Sequence, residues 1–359
     1  MRTLFFSVIL VCVALPVHAQ QTRPIKAKNS YCWSGPQMER FMSFLQAHAP
    51  KKPDDLPPLI AGIAPHADYR HAGRVYYPLF QKISSPEVVI FGVTHRAIRE
   101  KLGQPQDKLI LDAYVDWPGP YGNVEVSPLR EYLKKHLDPQ YYTVNNDAHR
   151  MDHSIEGLLP FLQYGRRDVR ITPVMVTAMS FDTMDTVSAK LAKVLTGYMK
   201  EKHLEPGKDV FFLISADANH YGKEFNNTFF GEGAEAHGKG AGHDRHLVDT
   251  YLQGPISIKK LKDLSSQLWG EDFKSYGDVV WCGQYTIPFG LLTVHHLMET
   301  WAPEKQLTGK RFLYGDSYSD GVLPADETGL GTASPPSLER WVGFFSAGYY
   351  LRNGAPGGQ

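Results

Sequence analysis

The chain is poor in cysteine, with three in 359 residues, at positions 12, 32 and 282. It has no surplus charge of either sign: 38 basic residues balance 38 acidic ones. It has no apolar run of the ~20 residues that a membrane-spanning helix needs, no internal repeat and no linker of biased composition. Each shortage excludes something. A balanced charge gives no field to draw nucleic acid onto the surface. The lack of a span leaves no membrane anchor once a leader is removed. The lack of repeats and linkers argues for one domain, although the length alone would allow two.

The first 19 residues read as a secretory signal peptide. Arg2 supplies the early positive charge, a short apolar run follows, and Val17-His18-Ala19 is a small-x-small cleavage site. The expectation is an exported protein, periplasmic or secreted, with a mature chain from about Gln20. Only Cys32 and Cys282 then remain. An oxidising compartment permits a Cys32–Cys282 disulfide, and a metal thiolate at Cys282 is the competing reading. Spacing does not choose between them, because a disulfide needs Cβ atoms within about 4.5 Å.

Residues 20–57 form a polar arm, and residues 58–359 the α/β domain on which it packs. Within the arm, Ser34 to Gln46 has the marks of a capped amphipathic helix. Short apolar runs at 59–64, 88–93, 171–177 and 210–215 read as buried strands. Helices are expected at 72–83, 127–137, from Ser154, at 182–200, 257–268 and 287–300. Residues 105–126 look extended, and the segments GKRFLYGDSYSD and RWVGFFSAGYYL read as closing strands. This alternation predicts a single-domain layered α/β/α fold with a mostly parallel or mixed central sheet. The Gly- and His-rich stretch 231–246 reads as a flexible surface loop, with a lid or accessory metal loop as the sharper alternative.

Three apolar runs end in a turn carrying a histidine: LIAGIAPHADY with His66, VVIFGVTHRA with His95, and FFLISADANHYG with Asp217 and His220. A fourth turn, WCGQY, carries Cys282. In open α/β sheets, ligands bind at the carboxyl ends of strands. Two imidazoles and a thiolate meeting there would make a first-row metal site with open positions. His153, between Asp152 and a capping Ser154, is placed to stay neutral, which suits a hydrogen-bond donor or a ligand. Asp217 is expected to hydrogen-bond His220 and fix it as a general acid/base. The start of a helix near Cys282 is expected to favour its thiolate. His71 reads as the start of a helix. His295 and His296 lack a partner pattern and read as core or surface residues.

The order PHADYRHAG, GVTHRA, DHSIEGLLPFLQY, ITPVMV, SADANHYG, WCGQYTIP resembles the Memo-like family (AmmeMemoRadiSam system protein B type). That family is similar in fold to the class III extradiol dioxygenases. The resemblance covers about residues 30 to 351. It implies His66, His95 and Cys282 as ligands to one divalent metal, iron first, with copper or zinc as alternatives. It implies His220 and Asp217 as the acid/base pair and His153 and Glu156 as pocket residues. It implies a metal-dependent redox enzyme with a dioxygenase-like site acting on a small molecule. A zinc-type hydrolase and a metal- or phosphopeptide-binding module are the alternatives. The chain departs from the pattern at Asp68, where glycine is usual, at Arg96, where a second histidine is usual, and in the Asp217-Ala218-Asn219-His220 turn. Arg96 brings a fixed positive charge that suits an anionic substrate, and Asp68 a negative one.

Overall fold

In a computed structural model, residues 21–48, 56–331 and 335–353 are described. The leader and cleavage site lie outside them. The strands are β1 (Leu59–Ala64), β2 (Glu87–Val93), β3 (Leu109–Leu111), β4 (Asp116–Trp117), β5 (Val124–Glu125) and β6 (Tyr142–Val144). They continue as β7 (Arg170–Val176), β8 (Val210–Ser215), β9 (His220–Gly222), β10 (Gly254–Pro255), β11 (Lys305–Asp316) and β12 (Arg340–Asn353). The helices are α1 (Gly35–His48), α2 (Tyr69–Phe80), α3 (Arg96–Lys101), α4 (Leu129–His136) and α5 (Asn146–Met151). After them come α6 (Leu159–Gly165), α7 (Phe181–Lys202), α8 (Gly233–Leu247), α9 (Ile258–Leu268) and α10 (Thr286–Trp301).

The main sheet runs β10-β11-β12-β1-β8-β2-β7-β3-β6, with β9 joined to β12. At its centre β1, β8, β2 and β7 are parallel. β12 closes one side antiparallel to β1, and β3 closes the other antiparallel to β7. The sheet is therefore mixed, as its sequence alternation predicts. Every residue of β1, β2 and β8 is buried. Such strands read as unbroken apolar runs because helices cover both faces. One face packs α7, α9 and α10 over residues such as Phe212, Leu291 and Leu191. The other packs α1, α2 and α6 over Leu213, Tyr76 and Phe161. Each fully buried side chain of this size contributes about 1.5–3 kcal/mol, so the frame is secured independently of any bound group.

The strand order places the site. β8 lies between β1 and β2, and the register sets Ala64 beside Ser215 and Phe91 beside Ile214. His66 and Asp217 each follow their strand by two residues, and His95 follows β2 by two. Three chemically active turns thus share one edge of the sheet.

Two local readings need correction. Residues 233–247 form helix α8 and not a flexible loop; Ala236, Gly240, Ala241, Asp244 and Leu247 make its buried face. A Cβ at Gly240 would come within 2.9 Å of the Trp341 ring, so glycine there allows close packing on an aromatic neighbour. Residues 146–151, where no helix is expected from the sequence, form α5, whose cap is the Asn145 side chain accepting from the Ala148 N–H.

Candidate metal centre

The centre is built from the β1, β2 and β8 turns and the Trp281–Gln284 turn before α10. His66 is buried. Its Nε2 lies 3.2 Å from His95 Nε2 and 3.4 Å from Cys282 Sγ. One ligand atom from each of the three falls within 4.8 Å of the others. Close packing makes this possible. A Cβ at Gly92 would strike Ile155 at 2.5 Å, and one at Gly283 would strike Ala216 at 2.3 Å. These glycines let the His153–Ile155 segment and the Cys282 turn approach the strand ends.

The hydrogen bonds behind the two imidazoles fix their tautomers. Ser215 Oγ donates to the Ser154 carbonyl at 2.7 Å, so it accepts from His66 Nδ1 at 2.9 Å. Asp152 accepts from His95 Nδ1 at 3.0 Å and from the Ser154 hydroxyl at 2.8 Å. Burial works against the Asp152 charge, yet the His95 hydrogen bond and the neighbouring imidazoles hold its carboxyl below the ordinary range. Each imidazole has therefore committed its N–H to the far side and turned a bare Nε2 lone pair inward. Two lone pairs facing each other at 3.2 Å repel unless positive charge stands between them. This is how a metal-ligating histidine is oriented by a partner behind it. The residues fit a metal ion.

The remaining side chains line the approach. His153 stacks on His95, with ring centroids 4.6 Å apart. Burial, then repulsion from His95, lowers its pKa to about 3. His220 donates Nδ1–H to the Ala218 carbonyl at 3.1 Å, and burial lowers its pKa to about 4. Both are neutral near pH 7. Asp217 accepts from the His66 backbone N–H at 2.9 Å and stands 3.5 Å from His66 Nε2. Burial raises its pKa to about 7. The expected bond from Asp217 to His220 is thus replaced: Ala218 orients His220, and Asp217 serves His66.

The Cys282 thiol also departs from expectation. Burial and then Asp217 push its pKa well above the ordinary thiol value. α10 begins four residues later, too far for its N-terminal field to offset that. A thiolate at this position would need an ion to displace the proton. Cys32 is free and buried among the apolar residues under α1, and Cys282 is free as well. The disulfide alternative is not what the structure contains.

A pocket of about 970 Å³ opens above the centre. His66, His95, Cys282, His153, His220 and Asp217 form its polar floor. Lys26, Arg96 and Arg99 bring positive charge to the wall, and Phe225, Phe229 and Tyr276 bring aromatic surface. Glu156 is elsewhere. It is buried, paired with Arg23, and accepts from the backbone N–H groups of Lys26 and Ala27 at 3.0 and 2.6 Å. Arg23 also donates to the carbonyls of His149 and Asp152 and lies 4.5 Å from the Trp117 ring. Asp68 stands at the N-cap of α2 and is not on the pocket wall. The arm thus ties itself to the segment that presents Asp152 and His153. Sequence reading missed Arg23, Lys26 and the supporting role of Asp152. Only the Asp152-His153-Ser154 juxtaposition hinted at the last.

A family model described as Memo-like protein matches residues 26–307. The chain belongs to the Memo-like family. A MEMO1 family protein of Aquifex aeolicus is 32% identical over 201 residues, 55% of this chain and 67% of its own length. One from Methanococcoides burtonii is 31% identical over 165 residues, 45% of this chain and 55% of its own. One from Metallosphaera sedula is 28% identical over 235 residues, 64% of this chain and 69% of its own. These matches cover about half to two thirds of the relatives. The Memo-like match contains the His66, His95, His220 and Cys282 turns, the α2 start with Asp68, and Arg96. It excludes Arg23, so the buried Arg23–Glu156 pair joins the matched region to a residue before it.

Proposed function

We propose that this Memo-like protein is an exported, metal-dependent redox enzyme with a dioxygenase-like site. His66, His95 and Cys282 would hold one divalent ion, iron before copper or zinc. A bound iron would supply oxygen activation at open coordination positions. What carries the reading is the pair of inward, unprotonated Nε2 atoms beside a thiol at the floor of a roomy pocket.

The protein's own groups have separable tasks. His220 keeps its N–H on Ala218, so its Nε2 is free to accept a proton from a bound substrate. Asp217, with a pKa of about 7, can carry a proton at neutral pH. His153 donates or accepts one hydrogen bond to the bound molecule without adding charge. Lys26, Arg96 and Arg99 favour an anionic substrate, and Phe225 and Phe229 favour one with a flat apolar body. Asp68 and Glu156 have no place in this scheme. A small molecule meets these demands; neither nucleic acid nor membrane is implied.

The test is elemental analysis of anaerobically prepared protein, followed by oxygen uptake with anionic catechols. One iron per chain is expected. His220→Ala should keep that iron and lose about 10²–10⁴-fold in turnover, the usual worth of a general base. Stoichiometric zinc with ester hydrolysis would establish the hydrolase in its place, and phosphopeptide binding without turnover would establish the binding module.

A further inference from the structure

A second cluster of nitrogen and oxygen donors lies on the helical layer. α10 is apolar for most of its length and then presents His295, His296 and Glu299 in succession. Spacings of three and four residues bring side chains together on one helix face. Glu299 Oε2 is 3.1 Å from His296 Nδ1, and Glu299 Oε1 is 3.6 Å from His295 Nδ1. From the neighbouring helix α7, Asp185 Oδ1 reaches His296 Nε2 at 2.8 Å. One ligand atom each from His295, His296 and Glu299 falls within 4.8 Å of the others.

His296 is the informative member. It has a carboxylate at each ring nitrogen, and its side chain is only 15% exposed. A neutral imidazole has one N–H, so it can satisfy only one of them. If it donates to Asp185, the Nδ1 lone pair faces the Glu299 carboxylate at 3.1 Å. A cation there removes the repulsion and gathers His295 Nδ1 as a further donor. Asp185 then plays toward His296 the part that Asp152 plays toward His95: a carboxylate behind the ring that fixes which nitrogen faces inward. A concavity of about 520 Å³ adjoins His295 and Glu299, with Glu304 on its wall, leaving room for water on an ion.

We propose that His295, His296 and Glu299 form a second, solvent-accessible divalent metal site, oriented by Asp185 of α7. Two imidazoles and one carboxylate select zinc or copper(II); calcium and magnesium prefer oxygen ligands alone. Through the Asp185–His296 bond, occupancy fastens α10 to α7. The site does not depend on the first centre being metal-bound.

The experiment titrates Zn²⁺ into full-length, tag-free protein carrying His66→Ala and His95→Ala, followed by calorimetry and equilibrium dialysis. One equivalent should bind. Adding His296→Ala or the more exposed Glu299→Gln should abolish it. Adding Asp185→Asn should weaken it 10–100-fold without abolishing it, as loss of an outer carboxylate does. Thermal melts in chelator establish that each variant is folded. Zinc weaker than about 100 µM in the double variant (only about 5.5 kcal/mol of binding), or binding indifferent to His296 and Glu299, would overturn the proposal. So would a His296 ring that stays doubly protonated at saturating Zn²⁺, seen by its nitrogen NMR shifts.

Discussion

His66 and His95 hang from the ends of β1 and β2, parallel strands on either side of β8, whereas His295 and His296 stand side by side on one helix. Both sets have a carboxylate behind one ring, Asp152 in the first case and Asp185 in the second. They differ in what surrounds that carboxylate. Asp152 is buried and accepts from His95, the Ser154 hydroxyl and the Ile155 N–H. Ser154 in turn accepts from the Val93 N–H of β2. Asp185 is 37% exposed. The comparison separates two properties that sequence motifs run together, namely which atoms are present and how firmly they are held. A strand-end site is preorganised by the sheet, while a helix-surface site must order long side chains as it binds.

The largest expected effect breaks the first cluster outright. His66→Ala or His95→Ala should abolish stoichiometric metal at the centre, lowering affinity by more than about 10³-fold, because two protein donors no longer hold an ion. The fold should survive, since β1, β2 and β8 are buried through their own apolar residues. Metal analysis with a thermal melt checks both halves. Full occupancy in either variant would remove that residue from the ligand set.

A smaller effect sharpens the comparison. Asp152→Asn keeps the shape but gives up the carboxylate charge behind His95, and 10–100-fold weaker metal binding is expected. Asp152 also holds the 152–155 turn, so its loss should move His153 too. Asp185→Asn should leave its neighbourhood unchanged. Histidine ring NMR signals of the two metal-free variants distinguish these outcomes. A widespread change confined to the Asp185 variant would reverse the ranking of rigid and loose sites.

Much of the first cluster was legible because its signals are local. Strands 59–64 and 210–215 are where the apolar runs place them, and β2 and β7 begin one residue early. A histidine two residues beyond such a strand is aimed by the sheet, whatever the rest of the chain does. The second cluster was not legible, since Asp185 is 111 residues from His296. Nothing local marks that pairing. Arg23 and Glu156 are 133 residues apart and hidden for the same reason. Helix α8 was missed on a different ground. Its glycines count against helix by intrinsic preference, and only the Trp341 ring packed on Gly240 explains one of them. The Asp217–His220 assignment failed because closeness in sequence outweighed the backbone carbonyl lying even nearer.

The smallest effect concerns protons and applies to the strand-end centre alone. His153 and His220 are lowered by burial from the ordinary 6.5 to about 3 and about 4. Between pH 6.5 and 4 the unfolded chain binds protons on these residues that the folded chain refuses, so each makes stability fall as pH falls. The slope is at most about 1.4 kcal/mol per pH unit for each, and less because both are partly exposed. Asp217 acts oppositely. Its folded pKa of about 7 exceeds the ordinary 3.8, so its contribution is complete below pH 3.8 and is lost as pH rises to 7. The wild-type curve is therefore flattened by cancellation, and the informative quantity is a difference. In chelator, His220→Gln should gain stability relative to wild type as pH drops from 6.5 to 4. Asp217→Asn should gain relative to wild type as pH rises from 4 to 7. Urea midpoints across that range measure both. Curves parallel to wild type would mean that these groups titrate alike in the folded and unfolded chains, and the desolvation that sets their pKa values would be absent.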